Sequence, residues 1–132
     1  MPDNAYDLLR EAQGLLQERN AKAAVSLLER AKALEPRRGS ILETLGIAYY
    51  NSGHHEAARR EFEEALEVDP TNHYARYGLS RCLFREGMLH KAIGQVKMAV
   101  VMAPEVEMYD EALQRYHHGL EASGRERKSK DR

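Results

Sequence analysis

The chain has 132 residues, of which 31% are charged and 7% aromatic, with no tryptophan and a formal net charge of −1. That length fits one domain with a buried core, and the near-neutral balance excludes a whole-chain attraction to nucleic acid or an anionic membrane. No stretch approaches the ~18 consecutive apolar residues of a membrane span, the opening Met1-Pro2-Asp3-Asn4 lacks the basic and apolar regions of a signal peptide, and the single Cys82 cannot close an internal disulfide, so a soluble cytoplasmic protein is expected.

Pro36, Pro70 and Pro104 stand 34 residues apart. Proline fixes φ and donates no backbone hydrogen bond, so it ends helices, and a fixed period of this length marks stacked repeats. Unit one covers about residues 5–38. Its two expected helices break at Arg19-Asn20, where asparagine is the better residue for a positive φ, and the second ends at Glu35-Pro36. Unit two, about 39–72, breaks at Asn51-Ser52-Gly53 and ends at Asp69-Pro70. Unit three, about 73–106, breaks at Glu86-Gly87 and ends at Ala103-Pro104. Small residues recur in register at Ala24, Ala58 and Ala92 and at Ala31, Ala65 and Ala99, with Leu28, Phe62 and Val96 between them. Alanine at these positions lets paired helices cross closely. Apolar residues with helical spacing, as at Leu42, Leu45 and Tyr49, point each helix at a shared core.

After Pro104, residues 107–122 read as one more helix, with Met108, Tyr109, Ala112, Leu113, Tyr116 and Leu120 on its apolar positions. It is either a cap over the last repeat or the first helix of a fourth unit. Gly124 is expected to end order, leaving a charged, disordered tail over 123–132. The fold class is therefore all-α, an α-solenoid of antiparallel helix pairs with about seven helices, in one domain spanning 1–122. Residues 125–132 carry a net charge of +3 and the remainder −4. So small a basic footprint makes a nucleic-acid partner an unsupported reading.

The columns resemble the tetratricopeptide repeat, whose signature is Trp-x2-Leu-Gly-x2-Tyr followed by Ala, Phe, Ala and Pro. Unit two carries Leu42, Leu45, Gly46, Tyr49, Ala58, Phe62, Ala65 and Pro70, lacking only the tryptophan. Unit three keeps Leu79, Ala92, Ala99 and Pro104, with Ser80 for glycine and Arg76 for tryptophan. Unit one is looser, with Leu8, Ala12, Leu15, Ala24, Leu28, Ala31 and Pro36, and Glu11 at the leucine position. The resemblance covers about residues 5–106 and implies a right-handed superhelix whose first helices line a concave groove that binds extended peptides or helices.

By that resemblance the groove columns are Tyr6, Leu9, Gln13, Leu16 and Gln17 in unit one. Unit two contributes Ser40, Glu43, Ile47, Tyr50 and Asn51, and unit three Tyr74, Tyr77, Arg81, Phe84 and Arg85. The third set shares one helix face. Aromatic and arginine side chains concentrate at binding hot spots, so the expected function is a non-catalytic protein-interaction module, an adaptor or scaffold. Its partner would carry acidic and apolar side chains. The competing reading packs Tyr74 and Tyr77 against the cap helix. A self-assembling structural domain is the alternative function, with spare apolar surface at Leu42 and Arg76 where the tryptophans are missing. Some family members hold a chaperone's C-terminal Glu-Glu-Val-Asp in a carboxylate clamp. The matching positions here are Leu9, Gln13, Thr44, Tyr74 and Gly78, none of them cationic.

Signals for chemistry are weak. His54-His55 and His117-His118 are adjacent rather than at the i, i+4 spacing that two ligands on one helix face need. His73 and His90 are expected as solvated turn residues. Cys82 has no basic neighbour one turn away and reads as a buried, inert thiol. Arg59-Arg60-Glu61-Phe62-Glu63-Glu64 reads as a solvated face of mixed charge. Neither a cofactor nor a metal is expected, and the chain is not expected to be an enzyme.

Overall fold

A computed structural model describes the backbone of residues 4–130 and the side chains of residues 4–124. Seven helices follow one another: α1 (Ala5–Gln17), α2 (Ala21–Leu34), α3 (Gly39–Asn51), α4 (His55–Val68), α5 (His73–Arg85), α6 (Leu89–Met102) and α7 (Glu107–Lys130). No strand occurs among the described residues. Each helix packs on its chain neighbour, α1 also packs on α3, and α3 on α5. The first helices of successive units thus form one layer and the second helices another.

The local chemistry explains the boundaries. Asn4, Asn20 and Asn72 cap α1, α2 and α5, each side-chain oxygen accepting from a backbone N–H in the first turn. The three second helices stop at Glu35, Asp69 and Ala103, one residue before the prolines. Gly53 and Gly87 supply the positive φ at the turns of units two and three. In unit one that conformation falls on Arg19, with φ 62°, and not on Asn20. Asn20 is used as the cap of α2 instead, and one residue cannot fill both roles.

The alanine columns are the crossing points. Ala24, Ala58, Ala92, Ala31, Ala65 and Ala99 are fully buried, with Leu28, Phe62 and Val96 beside them. Phe62 is the keystone of the middle of the stack. A Cβ at Gly46 would come within 2.7 Å of its ring, and one at Gly78 within 2.5 Å. The ring is wedged between α3 of its own unit and α5 of the next, and glycine on both sides makes the room. Leu42, at the first missing tryptophan, is fully buried. Arg76, at the second, donates to the Gln95 side chain at 3.0 Å and to the Pro70 carbonyl at 2.9 Å. Neither position leaves the spare apolar surface expected there.

Two expectations about charge and order change. Glu61, read as part of a solvated face, is buried and accepts from Lys32 of α2 at 3.0 Å, with Glu64 at 3.2 Å from the same amine. The pairing ties units one and two together. The helix after Pro104 does not stop at residue 122, nor does Gly124 end it: α7 runs to Lys130. A glycine inside a helix costs only about 1 kcal/mol against alanine, and Arg-Glu-Arg-Lys after it are good helix formers. Asp131 and Arg132 of the expected tail lie outside the described residues.

Candidate functional site

The expected groove columns lie on α1, α3 and α5, and α7 determines how much of them remains open. Tyr109 and Tyr116 of α7 are buried. Tyr109 tilts over Tyr77 at 5.2 Å between ring centroids, and its hydroxyl lies 2.7 Å from Nδ1 of His73. Tyr116 stacks on Phe84 at 4.7 Å, and its hydroxyl lies 3.0 Å from that of Ser80. Through these contacts α7 docks on α5 as well as on α6. Tyr77 is consequently buried rather than displayed, and Phe84 is half-covered. His73, expected in a solvated turn, is the first residue of α5 and is held by Tyr109. His90 lies within α6 and is exposed.

Among the other columns, Leu9 is buried in the first core cluster and cannot face a ligand. Tyr6 is exposed, with Arg10 over its ring at 5.8 Å. Gln13, Asn51 and Arg85 are exposed, whereas Glu43, Ile47, Tyr50, Tyr74 and Arg81 are half-buried. Glu43 accepts from the Asn72 amide at 3.1 Å, and its burial pushes the carboxyl up despite that bond. Tyr74 meets Tyr77 edge-on at 5.7 Å. The five clamp-equivalent positions hold no cation: Leu9 and Thr44 are buried, the Thr44 hydroxyl donating to Ser40 O at 2.7 Å, and Gly78 lies under Phe62.

The structure gathers Tyr50, Arg81 and Arg85 at one place. The Arg81 guanidinium lies over the Tyr50 ring at 4.0 Å from its centroid, and that of Arg85 at 5.9 Å. Sequence reasoning missed the fourth member. His55, the first residue of α4, meets the same ring edge-on at 4.8 Å. Burial, followed by the charges of Arg85 and Arg81, holds its imidazole below the ordinary histidine range. Nothing in its own segment signals this, because the partners come from α3 and α5. Beside this cluster, toward α1, a depression of about 460 Å³ is lined by Leu16, Gln17, Arg19, Ala21 and Asn51.

Arg37, Arg38, Arg59 and Arg60 each reach a glutamate. Arg81 and Arg85 reach none among the described residues. Cys82 is fully buried, and burial with the nearby Glu86 charge pushes its thiol up to about 12, which keeps it inert at neutral pH. No cluster of three or more His, Cys, Asp or Glu placed to hold a metal occurs among the described residues. Among the described residues no helix is long and apolar enough to cross a membrane.

The family model for the tetratricopeptide repeat matches residues 43–107. The chain is 30% identical over 97 residues to the tetratricopeptide repeat and J domain-containing co-chaperone DNJ1 of Cryptococcus neoformans, a match covering 74% of this chain and 19% of that protein. It spans about a fifth of the length of the curated relatives it matches. Its fold superposes on the Sgt2 TPR domain from Aspergillus fumigatus with a TM-score of 0.86 at 21% identity, covering 92% of this chain and 82% of that one. It also superposes on the first TPR of Spaghetti (RPAP3), solved bound to the HSP90 peptide SRMEEVD, with a TM-score of 0.84 at 13% identity over 89% of this chain and 93% of that one. With seven helices among the described residues and 34-residue columns, the molecule is a small all-helical tetratricopeptide-repeat protein.

Proposed function

We propose that the chain is a non-catalytic, cytoplasmic protein-interaction module that holds an extended or helical segment of a partner protein against α3, α5 and α7. The observation that carries the reading is the pair Arg81 and Arg85, fixed on Tyr50 without an acidic partner among the described residues. Arg81 is half-buried and Arg85 exposed, and both forks are left open for carboxylates of a ligand. Tyr74 and Ile47 supply the neighbouring apolar surface. The HSP90 peptide on the RPAP3 domain supports peptide binding as the use of this fold. The clamp positions lack cations here, so the acidic residues of the partner are engaged near the C-terminal end of α5 and not at the clamp. In affinity capture from the source organism's lysate, the Arg81→Glu/Arg85→Glu variant should lose a partner that the unaltered chain retains. Unimpaired capture by a folded double variant refutes the assignment.

A second reading, self-assembly, draws on α6. Met98, Val101 and Met102 share one exposed face, Val101 at 80% exposure. In unit two the same register positions hold Glu64, Glu67 and Val68. Sedimentation velocity across a hundredfold concentration range separates the two, because a strict monomer throughout excludes assembly through this face.

A further inference from the structure

We propose that the end of the groove where α3, α4 and α5 meet is a phosphate subsite, which takes a phosphorylated serine or threonine side chain of the bound segment. The inference rests on the groove reading for its source of ligand, but its chemistry stands on the cluster itself. Three nitrogen-bearing groups from two helices surround one ring of a third: Arg81 at 4.0 Å, Arg85 at 5.9 Å and His55 at 4.8 Å from the Tyr50 centroid. Packing against the Tyr50 ring restrains the Arg81 guanidinium, so less freedom is lost when it grips an anion. One carboxylate is satisfied by a single fork. Two forks and an imidazole offer more donors than its two oxygens accept. A phosphomonoester brings three acceptor oxygens and a charge near −2, which match that donor set.

The surroundings favour the dianion further. α4 starts at His55, and its N-cap residue His54 makes no side-chain capping bond, so the positive helix end is left for a ligand. Glu56, the acidic residue next to His55, is taken by Arg60 at 3.2 Å. The groups acting on His55 are Arg85, Arg81 and His54, all of which disfavour its protonation. An arriving dianion reverses that balance, so His55 gains a proton as the phosphate docks and becomes a third charged donor.

The test is an NMR titration of the full chain, following the His55 ring signals at constant ionic strength. The probes are N-acetyl-phosphoserine methylamide, N-acetyl-glutamate methylamide and inorganic phosphate. The phosphoserine amide should saturate the His55 shift at a concentration at least about fivefold below that of the glutamate amide. It should also raise the His55 titration midpoint, and Arg81→Gln/Arg85→Gln should abolish both effects. Inorganic phosphate should act at the same signals. Equal affinity for the phosphoserine and glutamate amides, or no saturable shift with either phosphate probe, overturns the inference. If an acidic segment still binds in the second case, the groove reading survives while the phosphate subsite does not. Saturation by phosphate alongside unimpaired partner capture by the Arg81→Glu/Arg85→Glu variant upholds the subsite and sinks the groove reading.

Discussion

Single residues decide how closely the units stack. Phe62 fills the space that Gly46 and Gly78 leave, and a methyl at Gly78 would lie 2.5 Å from its ring. Overpacking of this kind costs about 1–3 kcal/mol, against a gain of about 1 kcal/mol from the better helix propensity of alanine. Gly78→Ala should therefore lower stability by up to roughly 2 kcal/mol in urea denaturation, and the loss should shrink in a Phe62→Leu background. Ala58→Leu, at a fully buried crossing point, should cost about 1–3 kcal/mol for the same reason. Arg19 gives the opposite case. A side chain at φ 62° is strained, by about 1–2 kcal/mol. Glycine relieves that strain but frees the unfolded chain, so Arg19→Gly should raise the thermal midpoint modestly, and a lowered midpoint would show that the Arg19 side chain stabilises the turn. The buried columns at Ala24, Ala58 and Ala92 were legible because periodicity needs only the chain itself. The strain at Arg19 was not, because the choice between Arg19 and Asn20 depends on which of them caps α2.

At the scale of elements, α7 adds a helix that covers α5 and α6 of the third unit. Its two tyrosines were legible as apolar positions of a helix. That they would cover Tyr77 was one of two readings open in the sequence, and that they would half-cover Phe84 was not legible, since it depends on the angle at which α7 meets α5. The end of α7 was also illegible, because the same glycine ends a helix at Gly87 and lies inside one at Gly124. Tyr116 stacks on Phe84 and reaches Ser80, so Tyr116→Ala should cost about 3–5 kcal/mol, as for other large buried truncations. A loss under ~1 kcal/mol would mean that α7 is only loosely docked. Tyr109 shares the alkaline limit with Tyr49 and Cys82. Burial pushes the Tyr109 hydroxyl from an ordinary 10.0 up to about 12, and the Cys82 thiol from 9.0 to about 12. The folded chain then keeps protons that the unfolded chain has released. Stability present below about pH 9 should fall as pH rises toward 12. Tyr109→Phe should flatten that decline, at a cost of about 1 kcal/mol near neutrality for the bond to His73.

For the whole molecule, the repeat count and the division into inner and outer helix layers followed from sequence, and so did the pairing of Arg81 with Arg85 on one face. The site they build with Tyr50 and His55 did not, since its members come from three helices in two units. The proposed partner surface is this cluster, and the alternative, self-assembly, would use the apolar face of α6 at Met98, Val101 and Met102. Amide hydrogen exchange on the full chain, with and without the partner retained by affinity capture, compares them directly. New protection is expected in the last turns of α3 and α5 and the first turn of α4, with α6 unchanged. Protection confined to residues 98–102 of α6, with Tyr50, Arg81 and Arg85 exchanging as before, would contradict it.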